Sequence, residues 1–310
     1  STMSPVQTAT SVILEALGYE PQVSTLSVPV TLASLKNKDI DVFLGNWMPS
    51  MTADIKPYLD DKSVEQIGTN LEGAGYGLVV PQYVADAGVK SLADLGKLKG
   101  VKLHYASQGA TSLDLAPMLA FRLLGLDVDH VFGFPGRGEG RLGFERGEFS
   151  IDYQTTTAYL RSSLPLVKNG EAVPLFSFGA LDDKGKFGRD PNFADIPTIA
   201  EAVEIVTGKR PGGVEWDAFY SFLIAGFPAQ KLLLLPKDTP ADIVAAWRDV
   251  LRRMTKDADY IARKDDMIGE YEQVTDAAGE ELFRQAITIT PEARAWVRDY
   301  LAKTYNVGFD

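Results

Sequence analysis

Apolar positions along the chain alternate between short β-branched or leucine-rich runs and longer stretches with a helical period, the pattern of strands followed by helices. Thr8–Leu17 sets Val12, Ile13, Ala16 and Leu17 on one face and meets Gly18, which predicts a helix and its stop. Ser24–Val30 predicts a strand, Leu32–Lys38 a helix, and Asp39–Leu44 a strand running straight into Gly45-Asn46-Trp47-Met48-Pro49. Gly77–Pro81 predicts another strand, Ser91–Leu95 a short capped helix and Lys97–Gly100 a connection. A second series begins with a strand at Val101–Ala106, the polar loop Ser107-Gln108-Gly109-Ala110-Thr111-Ser112 and a helix at Leu113–Leu124. Val128–Phe134 is predicted as strand, Gly140–Arg146 as helix, and Ser150–Tyr153 as a strand leading through Gln154 into Thr155, Thr156 and Thr157 at the next helix start. Beyond these, Ala172–Phe178 and Phe219–Ala225 read as strands, and Ile196–Thr207, Pro240–Lys256, Ala258–Asp266 and Pro291–Lys303 as helices.

Alternation of this kind predicts the α/β class with mainly parallel sheets flanked by helices. Glycine, proline and basic residues cluster near Leu95–Gly100 and Gly208–Val214, the expected crossings between two lobes. Lobe 1 is then discontinuous, residues 1–97 plus 212–310, and lobe 2 is residues 98–211.

The chain's 310 residues are 45% hydrophobic, enough for more than one core. A formal net charge of −11 and a pI near 4.8 offer no footprint for nucleic acid or an anionic membrane surface. The longest apolar stretches, such as Lys231–Pro236 and Phe219–Phe227, are too short to span a bilayer, and no signal-peptide pattern opens the chain. The expectation is a soluble protein, or one whose export signal has been removed. Cysteine is absent, which excludes disulfides, thiolate catalysis and zinc–sulfur sites. His104 and His130 are the two histidines and have no metal-ligand spacing, so neither a metal nor another cofactor is expected.

Trp47 follows a strand, and an indole at the carboxyl end of a parallel strand faces the crevice where α/β proteins bind ligands. Its face suits a cation, above all a quaternary ammonium group; a buried core or hinge tryptophan is the other reading. Tyr76, just before its strand, carries the same two readings. Ser107–Ser112 and Gln154–Thr157 open helices, where free N–H groups suit a carboxylate or serve as ordinary N-caps. Gly138-Glu139-Gly140-Arg141-Leu142-Gly143 fits G-x-G-x-x-G, but no acidic residue ends a strand at the required later position, so dinucleotide binding is rejected. No Walker loop, G-x-S-x-G elbow or H-E-x-x-H helix is present, which leaves no enzyme signature. Trp247 and Trp296 fall on apolar helix faces, whereas Trp216, near the second crossing, is a further candidate for the cleft.

Ser27–Pro49, SVPVTLASLKNKDIDVFLGNWMP, and Asn70–Val80, NLEGAGYGLVV, resemble the choline/glycine-betaine substrate-binding proteins of ABC importers over roughly residues 8–95. From about Val101, VKLHYASQGATS, GRGEGRLGFERGEF, ADIPTIAEA and LLLLPKDTPADIVAAW resemble the solute receptors of tripartite tricarboxylate transporters, up to about residue 305. The chain thus reads as a junction, or chimera, of two binding-protein families that share a two-lobe periplasmic-binding-protein (type II) clamshell. The first resemblance implies an aromatic box for a trimethylammonium group, with Trp47 and Tyr76 as two of its members; the family's own first strand and Trp-Thr-Asp loop have no counterpart in Ser1–Gln7. The second implies small carboxylates held by loops matching Ser107–Ser112 and Gln154–Thr157.

Together the expectation is an extracytoplasmic, monomeric, non-enzymatic receptor that takes a small molecule to a membrane permease. A quaternary ammonium compound is the leading ligand; an organic acid, and beyond it a non-binding scaffold or an enzyme, are the alternatives. The candidate contacts are Asn46, Trp47 and Tyr76 from one lobe, Ser107, Gln108, Thr111, Ser112, Gln154 and Thr155 from the other, and Trp216.

Overall fold

The computed structural model describes residues 34, 35, 37, 43–46, 64–70, 76–79, 87–89, 92–181, 186–227, 231–236, 238–268, 273–286 and 288–308. The predicted helix at Thr8–Leu17, the predicted strand at Ser24–Val30 and Trp47 lie outside the described residues.

Two groups of strands emerge. In the first, β1 (Phe43–Asn46), β2 (Val64–Asn70), β10 (Lys231–Pro236) and β11 (Gln273–Thr275) form one sheet in the order β1-β10-β2-β11, with every ladder antiparallel. After Lys231 the strand β10 runs through four leucines because both its faces are covered: Leu233 and Leu235 pack with Val244, Trp247 and Leu251 of the following helix, and Leu234 is buried as well. Trp247 is thus a packing residue, as its place on a helical face predicts.

The second group holds β3 (Tyr76–Val79), β4 (Lys102–Ala106), β5 (Asp127–Val131), β6 (Ile151–Gln154) and β7 (Val173–Ser177). β4 and β5 pair in parallel, residue for residue from Lys102↔Asp127 to Ala106↔Val131, and β8 (Ala180–Leu181) and β9 (Phe187–Gly188) form a separate short antiparallel pair. β3 lies between β6 and β7 and runs antiparallel to both. The Ser150 N–H donates to the His104 carbonyl at 3.0 Å, and the Ser150 hydroxyl accepts from the His104 N–H at 2.7 Å, which closes β4 onto β6.

The α/β class holds, but strand direction is more mixed than the expected parallel sheets. The parallel rule applies to strands joined through a crossover helix, as β4 and β5 are. β3 and β10 enter their sheets from remote parts of the chain, free of that constraint.

Among the helices, α1 (Leu115–Leu123), α2 (Arg137–Glu145), α3 (Thr156–Ala158), α4 (Leu164–Lys168) and α5 (Ile199–Thr207) alternate with the second group of strands, and a π-helical turn at Tyr159–Ser163 joins α3 to α4. Next come α6 (Val214–Gly226), α7 (Ala241–Met254), α8 (Ala258–Ile268), α9 (Asp276–Ala286) and α10 (Pro291–Tyr305). The sequence announces α5 at both ends: the Thr198 hydroxyl and Glu201 carboxylate form a reciprocal capping box, and Gly208 closes the helix at φ 72°. G-x-G-x-x-G falls inside α2, so its glycines shape no phosphate loop.

Phe219–Ala225, expected as a strand, is helical and belongs to α6. Its partners explain the misreading. Packed on α1, α9 and α10, the helix buries Ala218, Phe219, Leu223, Ile224 and Ala225, and an apolar run covered on several sides carries no helical period. The core it joins is aromatic: Tyr153 stacks on Phe178 with centroids 5.0 Å apart, and Phe219 and Phe227 meet the Phe178 ring edge-on. Removing the Phe178 ring would cost about 3–5 kcal/mol, from lost transfer energy plus the cavity left behind.

Candidate functional site

β4 ends in the Ser107–Ser112 loop, and the end of β5 holds that loop in place. The Ser107 N–H donates to the Val131 carbonyl at 2.8 Å, while the Ser107 carbonyl accepts from the Phe134 N–H at 3.2 Å. Inside the loop, the buried Ser107 hydroxyl accepts from the Gly109 N–H at 3.2 Å, and the Ser112 hydroxyl donates to the Gly109 carbonyl at 2.7 Å. Gly109 has φ 153°, a region that side-chain-bearing residues avoid. The Gln108 N–H donates to Asp114 Oδ2 at 2.6 Å, and the Asp114 N–H donates to the Ser112 hydroxyl at 3.1 Å. Thr111 is exposed. Asp114, wholly buried, is the residue from which α1 departs, where the positive end of the helix dipole favours a carboxylate.

Arg137, the first residue of α2, reaches beneath this loop and ties the ends of β4 and β6 to the start of α1. Its guanidinium donates to the Ala106 carbonyl at 2.5 Å, to the Tyr153 carbonyl at 3.2 Å, to Asp114 Oδ2 at 3.3 Å and to Asp152 Oδ1. The guanidinium also lies over the Tyr105 ring, 4.7 Å from its centroid. Gln154 completes the bracket: its amide donates to Asp152 Oδ2 at 2.7 Å and to the Arg137 carbonyl at 3.2 Å.

Burial opposes the charge on Arg137, but Tyr105, Asp152 and Asp114 outweigh it, so the group holds its proton more tightly than a free arginine. Burial pushes the Asp152 carboxyl upward, only partly offset by Arg137 and Gln154. A desolvated carboxylate beside a desolvated guanidinium is a rigid fixture, and removing either partner strands the other.

The next strand end is built differently. Gln154 closes β6 and Thr155 precedes α3, where the Thr155 side chain makes no capping bond. The Thr155 carbonyl accepts from the Tyr159 N–H at 2.7 Å, and the Thr156 hydroxyl donates to Asp190 at 3.3 Å.

Tyr76 stands directly opposite Gln154 in the β3–β6 register and opposite Ser177 in the β3–β7 register. The sequence placed Tyr76 and Gln154 on facing lobes; the register places them on neighbouring strands of one sheet. Asn46 ends β1 opposite Lys231, and Trp47, the next residue, is outside the described residues. Trp216 is half-buried on α6, in ring contact with Phe187, Phe219 and Tyr220.

Sequence reasoning thus reached the polar loops and missed Arg137, Asp114 and Asp152 beneath them. A signal was available: Asp152 sits between Ile151 and Tyr153 in a strand, and Asp114 between Leu113 and Leu115, each a charge flanked by apolar neighbours. Among the described residues, no cluster of histidines and carboxylates could hold a metal ion, and no helix is long and apolar enough to cross a membrane.

Comparison with known proteins gives two kinds of likeness. Residues 4–112 match the family described as the substrate binding domain of ABC-type glycine betaine transport system. "Uncharacterized protein ORF1" of Chromohalobacter salexigens is 59% identical over 87 residues, 28% of this chain and 56% of that protein. The glycine betaine/carnitine transport binding protein GbuC of Listeria monocytogenes is 35% identical over 91 residues, 28% of this chain and 29% of that protein. The chain therefore spans about half the length of the first curated relative and under a third of the second. In three dimensions, a TctC solute binding protein from Polaromonas has a TM-score of 0.55 at 16% identity, covering 92% of this chain and 85% of that one. The chain has the α/β fold of the periplasmic solute-binding proteins, and its first third resembles the glycine-betaine branch in sequence.

Proposed function

We propose that this chain is an extracytoplasmic solute-binding protein that captures a quaternary ammonium compound of the choline or glycine betaine type and presents it to a membrane permease. The observation that carries the reading is the match of residues 4–112 to the glycine-betaine substrate-binding domain, in a chain with the periplasmic binding-protein fold. On this reading the protein is a monomer without enzymatic activity, and it binds between two lobes near the proposed crossings. The ladders of β3 support assigning residues 76–79 to the second lobe. Asn46 and Trp47 line the site from the first lobe; Tyr76 lines it from the second, beside Ser107, Gln108, Thr111, Ser112, Gln154 and Thr155. Trp216 contributes at the edge.

A desolvated cation–π contact contributes about 2 kcal/mol, so Trp47→Ala should weaken binding by about thirtyfold or abolish it. Calorimetric titration with choline, glycine betaine, citrate and succinate tests the proposal. Heat from choline or glycine betaine that disappears in Trp47→Ala supports it. Heat from the acids alone overturns it and leaves the organic-acid receptor suggested by the segments from Val101 onward.

A further inference from the structure

The polar half of the site contains an anion of its own. Resting on the reading above, we propose that Asp114 occupies, from within the chain, the anion position of the Ser107–Ser112 loop, so that the site discriminates against ligand carboxylates and favours a cationic ligand that carries none. A helix-start loop binds an anion through unengaged N–H groups and hydroxyls and a positive dipole end. Here the Gln108 N–H is held by the Asp114 carboxylate, the Gly109 N–H by the Ser107 hydroxyl, and the Asp114 N–H by the Ser112 hydroxyl. The Asp114 side chain is fully buried, its Oδ1 has no hydrogen-bond partner, and its charge lies at the start of α1.

Arg137 does not restore an anion site. Among the described residues it is the one cation bonded into this network, and it already faces two carboxylates, Asp114 and Asp152. A ligand carboxylate entering above the loop would find the Gln108, Gly109 and Asp114 N–H groups engaged and an excess of negative charge beneath them, which opposes binding. The Ala110 and Thr111 N–H groups have no acceptor among the described residues and remain open to a neutral acceptor such as a hydroxyl oxygen.

The test is calorimetric titration of the whole chain and of folded Asp114→Asn and Asp114→Ala with choline, glycine betaine and succinate. The unaltered protein should bind choline about tenfold or more tightly than glycine betaine and give no heat with succinate. Asp114→Asn should bring the two amines to within about threefold. Asp114→Ala, which frees the Gln108 N–H and one side of Arg137, should acquire succinate binding. Glycine betaine equal to or tighter than choline in the unaltered protein overturns the proposal while the proposed function stands. Loss of both amines with succinate binding only in Asp114→Ala overturns the proposed function while this inference stands. Succinate binding unchanged across all three proteins overturns both. Where neither variant folds, the choline-to-betaine ratio of the unaltered protein decides: about tenfold or more supports the inference, and parity overturns it.

Discussion

The loop after β4 and the loop after β6 read alike in sequence, each a small polar run opening a helix, yet the structure builds them as opposites. The first is braced from below: Asp114 and the serine hydroxyls accept from the Gln108, Gly109 and Asp114 N–H groups, the Arg137 guanidinium donates to Asp114, and the end of β5 fixes its backbone. The second has its Gln154 amide and Thr156 hydroxyl engaged but its helix start left open, with Thr155 making no capping bond and no acceptor for the Thr156 or Thr157 N–H among the described residues. Loop composition is therefore a poor guide to loop chemistry. What differs is the residue that follows, a buried aspartate after Leu113 in one case and a polar threonine run in the other.

The largest effect expected on this contrast is at Arg137. Arg137→Ala leaves Asp114 and Asp152 buried without their cation and should cost about 3–5 kcal/mol of stability. Adding Asp114→Asn should recover part of that loss, since the stranded charge is the source of the penalty. A double variant no more stable than Arg137→Ala, measured by urea unfolding, would break the account of the first loop as an electrostatic bracket.

Acid should separate the two loops next. Burial holds His130 down to about 4, from an ordinary 6.5, despite the opposing pull of Asp114 and Asp129. His130 sits on β5 just before Val131, whose carbonyl holds Ser107, and its Nδ1 is 3.3 Å from the Tyr305 hydroxyl. The unfolded chain takes up a proton at this residue below pH 6.5 while the folded chain resists until about pH 4, so the stability that His130 contributes is lost across that window and no further below it. The loss should be on the order of 2–3 kcal/mol, and His130→Phe should flatten this part of the profile. An unchanged profile in that variant would detach His130 from the first loop's frame.

Smaller effects sharpen the contrast. Thr198→Ala removes a complete capping box and should cost about 1 kcal/mol. Thr155→Ala removes a hydroxyl that makes no capping bond and should cost under about 0.5 kcal/mol in thermal unfolding. A Thr155→Ala penalty as large as that of Thr198→Ala would mean that the second loop is also closed by its own side chains.

These differences mark what was legible in the chain. The rhythm from β4 to α5 was legible because each element there carries local information: an apolar strand at Lys102–Ala106, a capping box at Thr198, a left-handed glycine at 208. α6 was misread because burial on several sides erases helical period. Arg137 was missed because its partners lie in other elements, which only tertiary folding brings beneath one loop. The approach of Tyr76 to Gln154 was hidden for a related reason, since register between remote strands leaves no trace in either segment.

β3 carries a consequence for how such a chain can be divided. Tyr76–Val79 lies within the region that matches the glycine-betaine domain, whereas β6 and β7, the strands on either side of it, lie beyond that region. The edge of that match is consequently not a boundary of folding. A fragment starting after residue 112 would expose two raw strand edges where β3 belongs, each a template for the wrong partner. The segment that resembles the glycine-betaine domain and the rest of the chain are joined by a shared sheet as well as by the covalent chain, so neither is complete without that strand.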